Sequence, residues 1–517
     1  MTRLTTRILA LAAALLLGPT PLVAQPARQE TRQQETRQDT RQPDGRRLPP
    51  DATTQHSLSL SDGRSLSFTA VAGSLPLVDE AGKLQAEIAF TAFTLPEREA
   101  RTRPVTFAIN GGPGAASAYL NLAAVGPWRL PLEGTSISPS MMPVAVPNDE
   151  TWLDFTDLVF IDPIGTGYSR ATGDDGKRYY GVESDAAVLS AAIARWLRTN
   201  DRLTSPKFFL GESYGGFRGP LIARKLQDDV GIGLSGLVLL SPVLDFGYLQ
   251  PPRHNPLGAV TRLPSLAAAG LERRGQTPDA ARMAEAEAYA TGPYLTDLLR
   301  GPADAAAIDR MSERLAALTG LDPALVRRQA GRLSGSSYQR EADRDSGRVA
   351  SAYDTGVTGW DPDPSAAQGR FADPILTAMQ APLTSAIIDL TARTLNWRVP
   401  NLRYELLSNA VNGSWNWGSG RSPPEVVSEL RQALALDGAM RVLVAHGYTD
   451  LVTPYFASKL IIDQIPPFGR DRRLSLSVYP GGHMFYFRKA SRAALRGDAL
   501  RLYETALAAR QSGGDGR

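Results

Sequence analysis

The sequence contains residue types that together can hydrolyse ester or amide bonds, and their spacing fits this chemistry. Residues 208–216 read FFLGESYGG, so Ser213 has a glycine two residues away on each side. An apolar run before the motif and an amphipathic segment through Phe217 and Leu221 after it predict a strand, a sharp turn and a helix. Such a turn presents a nucleophilic serine hydroxyl. Gly-x-Ser-x-Gly alone is as readily an ordinary turn in a glycine-rich chain.

A nucleophilic serine requires a general base and an acid that orients it. The four histidines of the chain are His56, His254, His446 and His483. His483 follows the last predicted strand, where the base of such a site belongs, and Asp450 lies in the loop after the preceding strand. We predict Ser213 as nucleophile, His483 as general base and then acid, and Asp450 as the group that fixes the imidazole tautomer. The alternatives are a surface histidine at 483 and a turn-forming aspartate at 450.

A glycine-rich turn supplies a further element of this chemistry. Residues 110–114 read NGGPG and follow a predicted strand over 105–109. Unobstructed backbone N–H groups there, together with the amide of Tyr214, can form an oxyanion hole for a tetrahedral intermediate. A phosphate-binding loop would need Gly-x-Gly-x-x-Gly spacing or a P-loop lysine, and the turn has neither. A purely structural turn remains the alternative.

The elements that position these residues follow from the hydrophobic pattern. Short apolar runs alternate with helical segments, at 105–109, 158–161, 208–210, 237–240, 442–445 and 474–478. Buried strands alternating with helices predict a mostly parallel sheet covered on both faces. Alternation over 57–95, with turns at Asp62-Gly63 and Gly82, predicts antiparallel strands before it. Residues 247–385 lack strand patterns and predict a helical insertion over the carboxyl ends of the strands.

The amino terminus has the pattern of an export signal. Residues 1–24 combine Arg3 and Arg7 with a short uncharged run and a small residue at Ala24, which predicts a signal peptide and a periplasmic or secreted protein. An uncleaved anchor is the alternative, although the run is too short to span a bilayer. Residues 25–55 are rich in Gln and Arg, with a ragged Thr-Arg-Gln repeat, and predict a disordered tether.

Composition excludes several classes of function. Lys and Arg total 56 against 53 Asp and Glu, a formal balance of +3, and removal of residues 1–24 would leave about +1. Bulk charge therefore argues against a nucleic-acid partner or an anionic membrane. The chain has no cysteine. A disulfide scaffold, a thiol nucleophile and a thiolate metal site are therefore excluded.

Five segments, in this order, resemble the serine carboxypeptidases of the α/β-hydrolase fold. They are NGGPGAAS at 110–117, DLVFIDPIGTGYS at 157–169, GESYGG at 211–216, GYTDLVTP at 447–454 and GGHMFY at 481–486. The resemblance extends over roughly residues 57–510 and favours an exported, bacterial-type member of the carboxypeptidase Y-like branch. It implies peptide substrates, release of C-terminal residues at acidic pH, and no metal or cofactor.

The same resemblance implies roles for individual residues. Asn110 and Gly111, together with Glu212, would bind the terminal carboxylate of the substrate. Gly112 and Tyr214 would donate to the oxyanion, and Met484 would line the pocket for the leaving residue. The sequence patterns and the resemblance together predict a signal peptide at 1–24, a tether at 25–55, a hydrolase core at 56–246 and 386–517, and a helical cap at 247–385.

The sequence also departs from that family at several positions. Its Cys-Ser pair is Ala115-Ala116 here, its Trp two residues before the Asn is Ala108, and Asp162-Pro163 lacks the intervening Gln. Ala124 stands where the family has a second glutamate that pairs with the acid beside the nucleophile. Strict carboxypeptidase specificity is therefore open, and an esterase, an acyltransferase or another serine peptidase is the alternative. A catalytically inactive binding protein is a third hypothesis.

Overall fold

A single large sheet organises the molecule. The computed structural model describes residues 46–96, 102–132, 137–173, 176–252, 254–366, 369–469 and 472–512. The predicted signal peptide and most of the predicted tether lie outside these ranges. The strands are β1 Ala52–Ser59, β2 Ser65–Val78, β3 Leu84–Thr94, β4 Val105–Ile109, β5 Trp128–Arg129, β6 Val146–Pro147, β7 Asp157–Ile161, β8 Arg170–Ala171, β9 Lys207–Glu212, β10 Gly236–Leu240, β11 Arg348–Ala350, β12 Thr358–Trp360, β13 Arg441–Gly447 and β14 Leu474–Tyr479.

The order of strands in the sheet is β1-β2-β3-β7-β4-β9-β10-β13-β14, with β8 paired to β3. Strands β1, β2 and β3 are antiparallel neighbours, and β3 pairs antiparallel with β7. From β7 to β14 every pairing is parallel. The predicted α/β-hydrolase fold, with a mostly parallel sheet and antiparallel strands at its start, is confirmed.

Helices cover the sheet and fill the segment between β10 and β13. They are α1 Ala118–Leu120, α2 Val182–Thr199, α3 Tyr214–Val230, α4 Phe246–Leu249, α5 Leu257–Arg273, α6 Ala280–Tyr289, α7 Leu295–Arg300, α8 Ala305–Thr319, α9 Pro323–Arg328, α10 Gly335–Glu341, α11 Leu376–Asp389, α12 Asn409–Gly413, α13 Val427–Leu436, α14 Tyr455–Ile462 and α15 Lys489–Ser512. None of the helices in the described ranges is long and apolar enough to cross a membrane.

The core has two main layers because the parallel strands are buried on both faces. Every residue of β4, β7 and β10 is buried. Apolar side chains of α2, α3 and α13 pack on one face of the sheet, and those of α11 and α15 contribute to the cluster on the other. Apolar surface on both sides of each strand explains the continuous hydrophobic runs that the sequence shows there.

Helices α5 to α10 and the β11–β12 hairpin occupy the segment that was predicted as a helical cap. The apolar side chains of helices α5 to α10 form a separate cluster that also includes Tyr448, Tyr455 and Phe456 from the loop after β13 and from α14. This segment therefore packs on the part of the core that carries Asp450.

Residues 46–55, predicted as the end of the disordered tether, make specific contacts in the structure. Leu48 is buried, and β1 starts at Ala52. The amides of Arg47 and Leu48 donate to the Glu87 carboxylate at 2.7 and 3.2 Å. Glu87 lies in β3 and is only 3% exposed. A polar, basic composition predicted disorder here, but these residues supply donors to a buried acid, so the prediction for residues 46–55 is wrong.

Candidate active site

Ser213 lies in a sharp turn between β9 and α3. Its backbone angles are φ 59° and ψ −122°, a conformation that residues with a side chain rarely adopt. Its amide donates to the carbonyl of Leu240 at 2.8 Å, so the turn is tied to the end of the neighbouring strand β10. Backbone strain of this kind is held only where the surrounding structure enforces it, and it collects at active sites.

The flanking glycines are required by close backbone contacts. A Cβ at Gly211 would lie 2.2 Å from the carbonyl oxygen of Gly215. A Cβ at Gly215 would lie 2.3 Å from the carbonyl oxygen of Ile109, the last residue of β4. The Gly-x-Ser-x-Gly spacing therefore reflects the tight turn and its contact with the adjacent strand.

Asp450 and His483 are brought together by the loops after β13 and β14. His483 Nδ1 lies 2.8 Å from Asp450 Oδ2, and both side chains are buried. Asp450 Oδ1 accepts hydrogen bonds from the amides of Val452 and Thr453 at 2.7 and 2.9 Å. Burial by itself lowers the pKa of His483, but the facing Asp450 carboxylate raises it, and the net pKa lies above the ordinary 6.5.

The histidine loop is also tied to the strand beside Ser213. Ser241, which follows β10 directly, donates through its hydroxyl to the carbonyl of His483 at 2.8 Å. In the described part of the chain the His483 ring bonds to Asp450 and Thr453, and not to Ser213 Oγ. Catalytic hydrogen bonds of this type often tighten only when substrate is bound.

His446 occupies a different position from that of a base for Ser213. It is the penultimate residue of β13, it is fully buried, and its Nε2 lies 2.9 Å from the hydroxyl of Ser458 in α14. Burial lowers its pKa to about 4, although the nearby Asp450 charge opposes that shift. His446 is therefore a neutral histidine directed toward α14.

The glycine-rich turn at 110–114 lies against the start of α3. A Cβ at Gly111 would lie 2.5 Å from the amide nitrogen of Tyr214. Gly112 and Gly114 have φ angles of 98° and 103°, which favour glycine. The amide of Tyr214 opens α3 and has no carbonyl within the helix to bind. The structure thus brings together the two backbone segments that were predicted to form an oxyanion hole.

Glu212 and Asn110 form a buried polar pair beside the nucleophile. Glu212 is 2% exposed. Its carboxylate accepts from Asn110 Nδ2 at 2.5 Å and from the Tyr486 hydroxyl at 2.7 Å. Burial raises the pKa of Glu212; the charge of His483 and the two hydrogen bonds oppose this, and the Asp450 charge adds to it. Asn110 is fixed in turn, because its Oδ1 accepts from the amide of Leu120 at 2.9 Å.

Two tyrosines near Glu212 were not predicted as site residues. Tyr486 belongs to the GGHMFY segment, but nothing in its local sequence shows that it bonds to a glutamate 274 positions away. Tyr119 is 2% exposed, and its hydroxyl has no hydrogen-bond partner among the described residues. Burial raises the pKa of this hydroxyl, and the charges of Tyr353 and Glu212 raise it further. The hydroxyl therefore interacts electrostatically with both of these residues. A hydroxyl within an apolar segment was the only sequence signal for it.

Ala124 and Met484 take up buried positions in the same region. Ala124 lies in the π-helical turn Asn121–Val125 that follows α1, and this turn contacts the short helical turn Phe485–Phe487. Met484 is buried in the apolar cluster that also contains Tyr119 and Tyr486. Its role in a leaving-residue pocket stays a prediction.

A segment before β12 contacts the histidine and aspartate loops. The amide of His483 donates to the carbonyl of Tyr353 at 2.5 Å, and the two rings are perpendicular with centroids 5.3 Å apart. The amide of Leu451 donates to the carbonyl of Ala352 at 3.0 Å. Arg488 Nη2 lies 2.8 Å from the carboxylate of Asp354. The predicted cap therefore helps to hold both loops.

The described residues contain no group of three or more His, Asp or Glu side chains placed to hold a metal ion. A cavity of about 790 Å³ opens beside the site and is lined in part by Asp354, Phe487 and Arg488. Ser213 and His483 do not line it. The candidate site consists of a strained serine, a hydrogen-bonded His–Asp pair and a buried acid.

Comparisons with known proteins agree with the hydrolase-type geometry of this candidate site. Residues 66–248 match the family model described as serine carboxypeptidase. Serine carboxypeptidase-like 5 of Arabidopsis thaliana is 27% identical over 202 residues, which cover 35% of this chain and 44% of that protein. Pheromone-processing carboxypeptidase kex1 of Schizosaccharomyces japonicus is 28% identical over 209 residues, which cover 39% of this chain and 35% of that protein. The predicted resemblance to the serine carboxypeptidases is confirmed.

The chain spans less than half the length of these curated relatives. Among solved structures, juvenile hormone epoxide hydrolase of the silkworm Bombyx mori aligns with a TM-score of 0.35 at 14% identity, covering 85% of this chain and 79% of that one. The bacterial character expected from the sequence stays a prediction.

Proposed function

We propose that this chain, related to the serine carboxypeptidases over residues 66–248, is a serine hydrolase that releases C-terminal residues from peptides. The observation that carries the exopeptidase part is the buried Glu212–Asn110 pair directly beside Ser213. Donors buried next to a nucleophile select a substrate whose scissile bond lies one residue from a carboxylate. The hydrolase part rests on the strained serine and the His483–Asp450 pair.

The proposed mechanism assigns one task to each group. Ser213 Oγ attacks the scissile carbonyl and gives its proton to His483 Nε2, while Asp450 holds the Nδ1–H and stabilises the imidazolium. The amides of Gly112 and Tyr214 donate to the developing oxyanion. His483 then protonates the departing amine, and water hydrolyses the acyl-enzyme by the same steps.

Recognition of the terminal carboxylate is proposed to use donors that surround Glu212. An ionised Glu212 would repel the substrate carboxylate, so it contributes only when protonated, and its burial favours that neutral form. Asn110 Nδ2 and the amide of Gly111 are further donors. The Tyr119 hydroxyl, which has no hydrogen-bond partner among the described residues, is one more donor, and its raised pKa keeps it protonated. It would partly replace the acid that is missing at Ala124.

An esterase or acyltransferase on the same scaffold is the second candidate. It is favoured by Ala124, since a single buried acid gives weaker selection for a free carboxylate than a pair of acids. An inactive binding protein is the third, and it has no specific observation in its favour.

A peptide library with free and amidated C-termini tests the proposal. We expect the protein to release single residues from free C-termini faster than from amidated ones, and a peptidyl phosphonate to label Ser213. Equal cleavage of both sets would favour a broader hydrolase. Absence of labelling in folded protein would favour the binding protein.

Export is also a proposal, supported by the pattern of residues 1–24. Expression of the full chain in a bacterial host should give an extracytoplasmic protein whose mature sequence starts at Gln25. A retained, uncleaved amino terminus would contradict this.

A further inference from the structure

Arg218 is a buried cation directly below the glycine-rich turn. It lies on α3, one helical turn after Tyr214, and it is 0% exposed. Its Nε and Nη2 donate to the two carboxylate oxygens of Asp185 at 2.6 and 3.2 Å. Asp185 belongs to α2 and is itself buried, so the cation is paired where water does not reach it.

The remaining arm of the guanidinium reaches the turn itself. Arg218 Nη1 donates to the carbonyl oxygen of Asn110 at 2.5 Å and lies 3.4 Å from that of Gly111. The guanidinium carbon also lies 4.8 Å from the ring centroid of Tyr214 and 5.9 Å from that of Trp415. The side chain is thus fixed by its carboxylate partner and by aromatic rings, and it has little freedom to move away from the turn.

Peptide geometry links these two carbonyls to the reaction site. In a trans peptide the C=O of one residue and the N–H of the next point in opposite directions. A carbonyl of Asn110 directed at Arg218 therefore aims the Gly111 N–H away from Arg218, and the carbonyl of Gly111 does the same for the Gly112 N–H. These are the amides assigned above to the substrate carboxylate and to the oxyanion.

Stability alone gives little reason for this arrangement. Replacing a buried ion pair with apolar side chains of similar size is often neutral or stabilising. A contribution to stability therefore does not account for the Arg218–Asp185 pair. A cation bonded to the carbonyls also polarises the peptide groups and strengthens their N–H groups as donors.

We propose that Arg218 is a positioning residue that aims and polarises the Gly111 and Gly112 amides toward the substrate. The inference rests on the proposed function only in assigning these amides to the reaction. It applies equally to a peptidase and to an esterase, since both pass through an oxyanion.

The test compares Arg218→Lys with the wild type on a p-nitrophenyl ester and with a peptidyl boronic acid, which forms a tetrahedral adduct on the serine. Lysine keeps the charge but cannot bind Asp185 and the carbonyls together. Loss of one oxyanion donor lowers kcat about 100- to 1000-fold, so we expect misaimed donors to lower it about 10- to 100-fold. The affinity for the boronic acid should fall by the same factor, and KM for the ester should change little.

Arg202→Lys is the matched control. Arg202 is also buried, its Nη1 lies 2.5 Å from the buried Asp157, and its Nη2 donates to the carbonyl of Arg103 at 2.9 Å. Asp157 opens β7, at the opposite end of the strands from Ser213. We expect this variant to have a lower Tm and unchanged boronic acid affinity. An equal loss of affinity in both variants would overturn the inference.

If Arg218→Lys does not fold, the double variant Arg218→Gln, Asp185→Asn removes both charges and leaves no unpaired buried ion. It should show the same loss of kcat and of boronic acid affinity. A folded Arg218 variant within threefold of the wild type on both measures would overturn the inference while leaving the proposed function intact. A wild-type protein that turns over neither esters nor peptides would instead refute the proposed function.

Discussion

Three residues are proposed to act as one unit, so their losses should not be additive. Ser213→Ala and His483→Ala should each lower kcat by a similar factor, on the order of 10⁴ to 10⁶, because either change removes the activated nucleophile. Asp450→Asn should be somewhat milder, since it disturbs only the tautomer and the stabilisation of the imidazolium. Ester turnover measures all three.

His446 supplies the control for that series. Its contact is the Ser458 hydroxyl, and its pKa of about 4 keeps it neutral at pH 7. His446→Gln should therefore lower Tm and leave kcat close to that of the wild type. Near-normal activity in His483→Ala together with inactivity in His446→Gln would show that the base was assigned to the wrong histidine.

Glu212 should give peptide binding its pH dependence. Burial raises the pKa of Glu212 above the ordinary 4.5. At low pH the carboxyl group is therefore neutral and tolerates a substrate carboxylate. This neutral form is lost as pH rises through the raised pKa. KM for free-carboxylate peptides should rise with pH across that range, and KM for amidated peptides should not. Glu212→Gln should flatten this rise, because an amide does not titrate.

The Glu212→Gln variant should also have a higher KM at low pH. The amide nitrogen of glutamine cannot accept a hydrogen bond, so one of the two contacts that Glu212 makes with Asn110 and Tyr486 is lost. The informative quantity is therefore the slope of KM against pH. An unchanged slope would remove Glu212 from the carboxylate site.

Tyr119→Phe tests the Tyr119 hydroxyl, which lacks a hydrogen-bond partner among the described residues. A hydrogen bond to a charged group contributes about 1.5–3 kcal/mol, so KM for free-carboxylate peptides should rise roughly 10- to 100-fold. KM for amidated peptides should stay the same. Tyr338→Phe is the matched control, because Tyr338 in α10 is equally buried and its hydroxyl also lacks a partner in the described part of the chain. A change in both variants, or in neither, would contradict the role given to Tyr119.

At the scale of elements, contact between the histidine loop and the predicted cap should be essential for turnover. A Cβ at Gly482 would lie 1.9 Å from the carbonyl oxygen of Tyr353, the same oxygen that accepts from the His483 amide. Gly482→Ala should displace this contact, destabilise the fold by about 1–3 kcal/mol and lower kcat at least tenfold.

The matched change for Gly482→Ala is Gly438→Ala. Gly438 lies in an exposed turn, and a Cβ there would meet nothing within 4 Å. It should leave kcat unchanged and alter stability by less than about 1 kcal/mol. Thermal unfolding and ester kinetics of the two variants test this prediction. Equal kcat values for both would show that the His483 loop tolerates displacement.

Elements with strong periodicity were predictable, and contacts between distant segments were not. The apolar run at 105–109 coincides with β4, and the turn before α3 follows from two glycines and a serine. By contrast, Arg218 appears in the sequence as one basic residue of a surface helix. Its burial depends on Asp185 and on the carbonyl of Asn110, which lies 108 positions away. Local patterns carry no information about such partners.

At the scale of the whole molecule, residues 46–48 should be needed for stability, and the contacts of Arg46 are the first of these. Its Nη2 donates to the carbonyl and hydroxyl of Ser74 at 2.8 and 2.6 Å. A chain starting at residue 46 should melt like one starting at Gln25, because the composition of residues 25–45 offers little apolar area to bury. A chain starting at Pro49 loses the amides of Arg47 and Leu48 and leaves Glu87 buried without them, so its Tm should fall by several degrees. Equal Tm values for all three chains would contradict this.

The contacts of Ala352 and Tyr353 also bear on protein engineering. Exchanging the insertion between relatives is an obvious way to alter substrate preference, since the segment looks like a replaceable module. Yet its carbonyls at 352 and 353 accept from the amides of Leu451 and His483, so a graft that omits them removes two supports of the catalytic loops. A workable chimera should keep residues 351–357 from the recipient and join the foreign helices outside them.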